Sequence, residues 1–207
     1  MKVLLILSHP NEASFCASIA KRIKKGFEEY EWTDETVEVI CHSLYEEEFF
    51  PVLPIEELKS KYSFDPSVQM YIDNLLGCDC LFFIHPDWWG QPPAILKGWL
   101  DRVFRPGIAY DYEGVDFEDK HPVPRLEDKK GCVIITTDLV YTEENQHYFE
   151  EIWNGRVFEY CGIQPCGVEV YYDMHNSTFG DRVRWLENLA LNMPALLGLT
   201  DEPEEGD

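Results

Sequence analysis

Three short segments carry the residues that could do chemistry, and each follows an apolar run. The first, SHPNEASFCAS, places Ser8 and His9 ahead of Ser14. It lacks the GxGxxG and GxxxxGK(S/T) patterns, so neither a dinucleotide-binding glycine turn nor a P-loop is expected. A helix N-terminus with a capping serine and nearby N–H groups can hold a phosphate without glycines, and His9 can donate a further hydrogen bond. The alternative is ordinary capping by Ser14 with His9 on the surface.

The second segment, HPDWWGQ, places two tryptophans directly after an apolar run. Adjacent side chains on a loop point apart, so Trp88 and Trp89 cannot both enter one core. Between Pro86 and Gly90, the pair suits a wall for a flat, polarisable ligand whose ring atoms meet backbone N–H groups. Packing under a neighbouring helix is the alternative. Asp87 could act as a general acid or base, but a solvated loop carboxylate is the simpler interpretation.

The third segment, TTDLVY, places Thr136 and Thr137 at a strand end ahead of Asp138. Threonines at such positions are mostly structural. Tyr141 and His147 are candidate proton donors; the alternative is that each is exposed or satisfied within the structure. No GxSxG or HExxH pattern accompanies them, so a serine hydrolase or a zinc protease is not expected.

The seven cysteines form no CxxC pair and no zinc-type cluster, so no metal site is expected. Cys161, His147 and Asp138 can be written as a nucleophilic triad, but Cys161 falls at a helix end away from the three segments. We expect small, buried, free thiols, as suits a reducing compartment. The apolar run at residues 3–7 is too short for a secretory signal, and no run approaches the ~20 residues of a membrane span. The sequence therefore predicts a soluble, cytoplasmic protein.

The charge balance excludes some partners. Lys and Arg number 17 against 39 Asp and Glu, for a net charge of −22. A nucleic-acid binder needs a basic face, and an anionic membrane surface would repel this chain. With 45% hydrophobic residues the chain can build a core, and its 207 residues suit one domain. We expect that domain to span residues 1–200, followed by an acidic, disordered tail at 201–207.

The elements that must position the three segments alternate between strand and helix. Apolar or β-branched runs predict buried strands at residues 3–7, 36–41, 78–84, 132–137 and 167–172. Apolar residues every four positions from Phe15 to Phe27 predict a helix, and further helices are predicted at residues 65–76, 92–104, 142–160 and 178–192. Thr142 would cap the fourth helix and Gly162 would end it.

This alternation indicates an α/β domain with a parallel sheet covered on both faces. Ligands of such sheets bind beyond the carboxyl ends of the strands, where all three segments fall. Two stretches depart from the pattern. Residues 43–64 are acidic and Pro-bearing and predict a surface excursion, while residues 105–130 predict a long loop. Long loops inside compact domains are often functional.

Two of the motifs resemble a known family. SHPNxxSF followed by a helix, and above all HPDWWGQPPAILKGWLDRVFRPGIAY at residues 85–110, look like the NAD(P)H:quinone oxidoreductases of the flavodoxin-like class. The resemblance runs through residues 2–172. It implies a flavodoxin-like three-layer sandwich with a five-stranded parallel sheet in the order 2-1-3-4-5. The family includes quinone reductases, drug-activity modulators and regulatory oxidoreductase subunits of bacterial potassium efflux. Its members are typically homodimers with a flavin at the dimer interface.

The resemblance implies roles for residues in all three segments. The flavin phosphate region would be bound by His9, Ser14, Phe15, Cys16 and Ser18. The isoalloxazine ring would be lined by Pro86, Asp87, Trp88, Trp89 and Gly90. Further cofactor contacts would come from Thr136, Thr137 and Asp138. Three aromatic residues would lie near the substrate pocket or the dimer contact, namely Trp99, Tyr110 and Tyr112.

Two departures from the family pattern concern the third segment. Thr-Thr-Gly-Gly often stands where this chain has TTDL, so Asp138 is expected to alter contacts to the flavin or its redox potential. The stretch to Gly162 is shorter than in the animal quinone reductases, whose catalytic Tyr and His therefore cannot be aligned here. Tyr141 and His147 stay as candidate catalytic residues.

The resemblance implies a flavin-dependent oxidoreductase that passes hydride from NAD(P)H through the flavin to a quinone or similar aromatic acceptor. FMN and FAD stay open, as do NADH and NADPH. A flavin-binding regulatory subunit of a transporter and a flavodoxin-type electron carrier are the alternatives. The flavin phosphate and NAD(P)H are anionic, so the net charge of −22 opposes their approach. The candidates to offset it are the helix beginning near Ser14 and the side chains of Lys97, Arg102 and Arg105.

Overall fold

A parallel sheet is the frame on which the three segments are placed. The computed structural model describes residues 1–29, 36–59, 62–114 and 121–196. Strands in these ranges are β1 Lys2–Leu7, β2 Glu38–Ser43, β3 Cys80–Pro86, β4 Tyr110–Glu113, β5 His121–Pro124, β6 Lys130–Thr136 and β7 Gln164–Tyr171. Five of them form one parallel sheet in the order β2-β1-β3-β6-β7. Counted along that sheet alone the order is 2-1-3-4-5, which confirms the predicted flavodoxin-like arrangement.

Helices cover both faces of the sheet. They are α1 Phe15–Glu29, α2 Ile55–Lys59, α3 Pro66–Gly77, α4 Ala94–Val103, α5 Glu143–Glu150, α6 Glu159–Cys161 and α7 Phe179–Leu196, with a π-helical segment Glu151–Phe158 between α5 and α6. Thr142 caps α5 as predicted, because its Oγ1 accepts the Asn145 N–H at 3.0 Å, and α6 ends at Gly162. Among the described residues, no helix combines the length and apolar character needed to cross a bilayer.

The core lies in two layers, one on each face of the sheet. On one face, Phe83 of β3 stacks on Trp153 of the π-helical segment with ring centroids 4.9 Å apart, and Trp99 of α4 packs beside it. On the other face, α1 presents its buried residues to the strands and packs against α7. Strands β1, β3 and β6 are buried along nearly their whole length, so both layers depend on them.

Three predictions made from the sequence are wrong. Residues 43–64 are more than a surface excursion, because Leu44 and Phe49 enter the core and α2 lies within the stretch. The expected loop at 105–130 contains an antiparallel hairpin of β4 and β5. The sequence did not predict it because β5 contains prolines, which argue against a strand although edge strands tolerate them. Helix α7 continues past Pro194 to Leu196, because a proline near a helix end disturbs only one turn. The predicted tail and the boundary at residue 200 lie outside the described residues.

A buried ion network fixes the stretch before α3 to helix α4. Arg102 donates to both carboxylate oxygens of Glu57, at 2.7 and 3.1 Å, and to Asp65 at 3.0 Å. Ser63 Oγ donates to the same Glu57 carboxylate at 2.7 Å. Burial alone would raise the pKa of Glu57, but the hydrogen bonds and charge of Arg102 hold that pKa below its ordinary value.

Close backbone contact at Gly98 completes this attachment. A Cβ at Gly98 would lie 2.1 Å from the carbonyl oxygen of Pro51, so only glycine lets the chain rest directly on α4. The stretch held there exposes large apolar side chains, namely Phe50, Val52, Ile55, Leu58 and Phe64. The fold therefore presents an apolar surface on a firmly attached segment.

Candidate functional site

The sheet brings the three segments together at its carboxyl edge. Strands β1, β3 and β6 are neighbours, so the loops that follow them meet. The N–H of Ser8 donates to Ile84 O at 2.9 Å, and the N–H of Asp87 donates to Thr136 O at 2.8 Å. Cys16 Sγ lies 3.2 Å from Thr136 Oγ1, which joins the first segment to the third.

The first segment builds a helix N-terminus suited to an anion. Ser14 Oγ accepts the Ala17 N–H at 3.1 Å, as predicted for a cap, and Ser18 Oγ donates back to Ser14 O at 3.1 Å. The N–H groups of Phe15 and Cys16 cannot be satisfied within the helix, because the first turn lacks carbonyl partners. The first turn of α1 also carries no acidic side chain. The exposed end of the dipole therefore favours negative charge, despite the acidity of the chain.

Cys16 reaches the site through its backbone. Its side chain is buried, and burial raises the pKa of the thiol to about 11. The thiol therefore stays protonated at neutral pH and packs against Thr136 as a small core residue.

His9 is held as a neutral hydrogen-bond donor beside α1. Its Nδ1 accepts the Asn11 N–H at 3.0 Å, which places the ring proton on Nε2. Partial burial lowers the pKa of His9 below its ordinary value. The ring lies 6.5 Å from that of Trp88, so His9 stands between the helix end and the tryptophan loop.

The second segment forms a tight turn with Trp89 at its tip. Trp88 and Gln91 exchange backbone hydrogen bonds at 3.0 and 3.2 Å. Trp89 and Gly90 both have positive φ, at 60° and 75°, as a two-residue type I′ turn requires. Glycine adopts this conformation freely, whereas a tryptophan there costs about 1–3 kcal/mol. The turn leaves the indole of Trp89 fully in solvent, at 101% exposure.

Asp87 is partly buried, so its interpretation as a solvated loop carboxylate is wrong. The side chain points across to β6, where Thr137 Oγ1 donates to its Oδ2 at 2.9 Å. Its other oxygen, Oδ1, is buried without a hydrogen-bond partner in the described part of the chain, as is Ser8 Oγ. Unpaired buried acceptors are rare in folded proteins, and a bound ligand with an N–H group would satisfy this one.

The threonines of the third segment serve the other two loops. Thr137 Oγ1 accepts the Leu139 N–H at 3.1 Å while it donates to Asp87, and the Thr137 N–H donates to Tyr171 O at 2.9 Å. Both threonines are buried, whereas Asp138 is exposed at the edge. The segment therefore orients Asp87 through Thr137 and leaves Asp138 exposed at the sheet edge.

The candidate proton donors lie apart from the tryptophan turn. Tyr141 is exposed and packs edge-on against Tyr172, with ring centroids 5.3 Å apart, and His147 is exposed on α5. The residue that touches the turn is Tyr148, whose hydroxyl accepts the Gln91 Nε2–H at 3.0 Å and would lie 3.1 Å from a Cβ at Gly90. The sequence interpretation missed Tyr148; its only signal was that α5 begins directly after the third segment.

The three residues expected near a substrate pocket or dimer contact have different environments. Trp99 has 0% exposure and belongs to the core, so its side chain can support such a surface from beneath but does not line it. Tyr110 lines a groove of about 490 Å³ between α4 and the π-helical segment, together with Tyr160, whose hydroxyl lies 3.3 Å from that of Tyr112. The groove lies away from the three loops and is mostly apolar.

The cations proposed to offset the net charge are already neutralised. Lys97 Nζ lies 2.5 Å from Asp101. Arg102 is bound by Glu57, and Arg105 Nη1 lies 3.7 Å from the same carboxylate. Attraction of an anion at this edge therefore comes from the N-terminus of α1, from the His9 N–H and from Arg182. The Arg182 guanidinium lies 6.0 Å from the centre of the Phe15 ring and donates to the neutral oxygens of Ser177 and Met174.

Two further expectations concern nucleophilic and metal chemistry. Cys161 is buried, and burial raises the pKa of its thiol to about 12, which opposes a nucleophilic role. No group of three or more His, Cys, Asp or Glu side chains within residues 1–29, 36–59, 62–114 and 121–196 is arranged to hold a metal ion.

A parallel sheet of order 2-1-3-4-5, with an anion-suited helix N-terminus after its first strand, defines a flavodoxin-like α/β protein. A family model described as the flavodoxin-like fold matches residues 1–187, and the chain belongs to that family.

Known proteins similar to this chain agree with that assignment. An uncharacterised NAD(P)H oxidoreductase of Haemophilus influenzae is 32% identical over 182 residues, covering 84% of this chain and 85% of the relative. An FMN-dependent NADH:quinone oxidoreductase of Macrococcus caseolyticus is 27% identical over 165 residues, covering 72% and 75%. The crystal structure of Smu.1420 from Streptococcus mutans superposes with a TM-score of 0.75 at 27% identity, covering 92% of this chain and 97% of that one.

Proposed function

We propose that this protein is a flavin-dependent NAD(P)H oxidoreductase that reduces a quinone or a similar aromatic acceptor. The names of the Haemophilus and Macrococcus relatives support the reaction class. The observation that carries the proposal is the second loop, where the strained, fully exposed Trp89 stands beside the unpaired buried Oδ1 of Asp87. Backbone strain and an unpaired buried acceptor both raise the free energy of the free protein, and a bound ligand would offset that increase.

The residues present fit a flavin, either FMN or FAD. The N-terminus of α1 would hold the phosphate through the N–H groups of Phe15 and Cys16, with Ser14 and Ser18 fixing the first turn. His9 Nε2–H is a further donor to phosphate oxygens. This arrangement needs no glycine-rich loop, and Arg182, 6.0 Å from the centre of the Phe15 ring, adds a positive charge beside it.

The second and third loops would hold the isoalloxazine ring. Asp87 Oδ1 would accept a ring N–H, and Thr137 keeps that carboxylate oriented. Pro86, Trp88, Trp89 and Gly90 would line the ring, and the exposed indoles give a flat acceptor a surface on which to stack. When bound, the flavin supplies the redox chemistry, taking a hydride from NAD(P)H and returning it to the acceptor. The protein orients both partners.

Tyr141 and His147 are the proposed proton donors to the acceptor, and Tyr148 joins them as a third. Tyr148 is the best placed of the three, because its hydroxyl reaches the loop that carries the tryptophans. Tyr148 is also partly exposed, so its hydroxyl could reach an acceptor stacked on the indoles. Tyr141 packs against Tyr172 and would serve an acceptor that extends beyond the turn. A proton delivered there would complete reduction of a quinone oxygen.

The proposed partner is a second copy of this chain in the cytoplasm. Leu58 lines the groove on α4, and Phe50 and Ile55 on the same attached segment are also exposed; a monomer rarely leaves such apolar surface in water. Light scattering should give twice the chain mass of 24.2 kDa. Leu58→Glu should shift the protein toward the monomer, while Leu191→Glu on α7, which is equally exposed, should leave the dimer intact. A wild-type monomer at micromolar concentration would contradict the dimer.

The experiment that tests the function begins with the visible spectrum of the purified protein and the mass of the cofactor it releases. We expect a yellow protein that releases FMN or FAD and oxidises NADH or NADPH when a quinone is added. A protein that binds neither flavin contradicts the proposal. Flavin turnover that needs a protein partner, with a stable semiquinone on titration, would instead favour an electron carrier.

Matched carboxylate variants test the second loop without relying on turnover. Asp87→Ala should weaken flavin binding about tenfold, since it removes a buried acceptor with a net worth of about 1.5 kcal/mol. Asp138→Ala, which removes an exposed carboxylate next to Thr137, should change flavin affinity less than threefold. Equal losses in the two variants would remove Asp87 from its proposed role.

A further inference from the structure

Three thiols meet at the end of the sheet opposite the candidate site. Cys80, Cys132 and Cys166 lie near the amino ends of β3, β6 and β7 and belong to the apolar layer under α1 and α7. Cys80 and Cys132 are buried, and Cys166 is partly exposed. Thr137 follows Cys132 by five residues, or ~17 Å at ~3.3 Å per residue, so the cluster is separate from the flavin loops.

An irregularity in the sheet puts two of these thiols on one face. Gly131 pairs with Pro165, but Cys132 pairs with Gly167, so Cys166 is an extra residue in β7. Without this bulge, a residue one step out of register with Cys132 would face the opposite side of the sheet. The bulge instead presents Cys166 to the same apolar layer as Cys132. Bulges are rare between parallel strands, which makes this placement a specific feature of the fold.

Strand geometry allows one disulfide among the three thiols. With strands ~4.8 Å apart, the one-residue offset puts the Cα atoms of Cys132 and Cys166 ~6 Å apart, inside the disulfide range of roughly 4.4–6.8 Å. Cys80 pairs with Lys130, a two-residue offset that puts it ~8 Å from Cys132. Two strand spacings, ~10 Å, separate the Cα atoms of Cys80 and Cys166. Both distances exceed the ~7 Å limit for bridging.

The surroundings of Cys166 favour its thiolate. The thiols of Cys132 and Cys80 hydrogen-bond to it, the Gly131 N–H donates to its sulfur and Lys130 adds positive charge. These contacts lower the pKa of the Cys166 thiol, while the contact with Cys166 raises the pKa of Cys132. A partly exposed thiolate beside a protonated, buried thiol is the arrangement of an attacking and a resolving cysteine.

We propose that Cys166 and Cys132 form a reversible redox pair that a small hydroperoxide converts to a disulfide. The Cys166 thiolate attacks the peroxide, the O–O bond breaks, and the alcohol or water leaves with Cys166 oxidised to the sulfenic acid. Cys132 then attacks that sulfur. The S–S bond forms, the S–O bond breaks, and hydroxide leaves as water with the Cys132 proton. Two electrons pass from the thiol pair to the peroxide, and an external dithiol restores both thiols by exchange.

Peptide mapping of the full-length protein tests this pair. The reduced protein is treated with a small excess of hydrogen peroxide, remaining thiols are alkylated, and the digest is analysed by mass spectrometry. We expect loss of two alkylatable thiols per chain and one cross-linked peptide joining Cys132 to Cys166, both reversed by dithiothreitol. The flavin spectrum should not change, because the cluster is remote from the loops.

Single substitutions separate the two roles. Cys132→Ser should leave a sulfenic acid on Cys166 that dimedone captures, and Cys166→Ser should abolish both products. Cys41→Ser, which removes an exposed thiol elsewhere, should leave the cross-link unchanged. If a variant fails to fold, the peptide map of the wild-type protein still tests the proposal. Oxidation confined to Cys41, or a cross-link through Cys80, would overturn the proposal whatever the protein does with flavin.

Discussion

Two regions of the molecule bury a carboxylate, and they treat it in opposite ways. Next to α4, both oxygens of Glu57 are satisfied by Arg102, and Ser63 adds a third donor. In the second loop, Thr137 satisfies only one oxygen of Asp87, and the other has no partner in the described chain. The first pattern is what a structural ion pair requires. The second leaves a buried acceptor unpaired, which is the pattern expected of a binding site rather than of a structural ion pair.

The largest expected effect breaks the satisfied region. Arg102→Met keeps most of the side-chain volume but leaves Glu57 buried and unpaired, so it should lower the free energy of unfolding by about 3–5 kcal/mol. Urea unfolding monitored by circular dichroism measures this. Arg156→Met removes an exposed ion pair with Glu151 and should cost less than about 1 kcal/mol. Similar small losses in both variants would place Glu57 among ordinary surface charges.

A pH dependence sharpens the same contrast beside Asp87. His85 is buried, its Nδ1 lies 2.8 Å from Pro86 O and its Nε2 has no partner in the described chain. Burial lowers the pKa of His85 to about 4. Between the unfolded pKa of about 6.5 and that value, the unfolded chain binds a proton that the folded chain refuses. Stability from this group is therefore complete above pH 6.5 and falls as the pH drops toward 4.

The loss from His85 should reach about 3 kcal/mol at pH 4, at about 1.4 kcal/mol for each pH unit. Urea unfolding of the wild type and of His85→Gln at pH 7.5 and pH 4 measures it, because the glutamine does not titrate. The gap between the two proteins should close by about that amount at the lower pH. His147→Gln, on exposed α5, should track the wild type at both pH values. A constant gap for His85→Gln would show that His85 is reached by water.

The tryptophan turn should trade stability for function. Trp89→Gly removes a non-glycine residue from positive φ and should raise the free energy of unfolding by about 1 kcal/mol, while kcat/KM for the acceptor falls. Trp88→Gly has no such strain to relieve and should lower stability. Thermal melts and steady-state kinetics check the pair. Loss of stability in both variants would mean that the indole of Trp89 packs against the protein.

The smallest expected effect concerns the net charge of −22. Lys97, Arg102 and Arg105 are neutralised by carboxylates, so attraction of an anion at this edge is left to the N-terminus of α1, the His9 N–H and Arg182 beside Phe15. Raising the salt from ~10 to ~150 mM should therefore increase kcat/KM for NAD(P)H by roughly twofold, as screening weakens the repulsion. A falling profile would reveal a positive patch that outweighs the net charge.

Local physics made much of the fold predictable. Continuous apolar runs predicted the buried strands. Ser14 and Thr142 predicted the starts of two helices, because a capping side chain binds a backbone N–H only three positions further along the chain. The order of the loops at the carboxyl edge followed from the alternation of strands and helices.

Features that depend on pairing across strands were not predictable. In the sequence, Asp87 has the features of a solvated loop residue. Only the pairing of β3 with β6 brings Thr137 beside it. The nearness of Cys132 and Cys166 depends on a single bulge. Trp99 shows a further limit, because a recognisable motif mixes binding residues with core residues and only burial separates them.

The contact of Gly98 with Pro51 has a consequence for assembly. A segment that rests on a helix backbone with no intervening side chain has few alternative conformations to lose. Association through its apolar residues would then avoid much of the ordering cost of binding, about 0.5–1.5 kcal/mol for each side chain immobilised. The glycine of the KGW motif would then act on affinity through conformational entropy, from its position beneath Pro51. Gly98→Ala would then weaken self-association more than a variant of any single apolar contact.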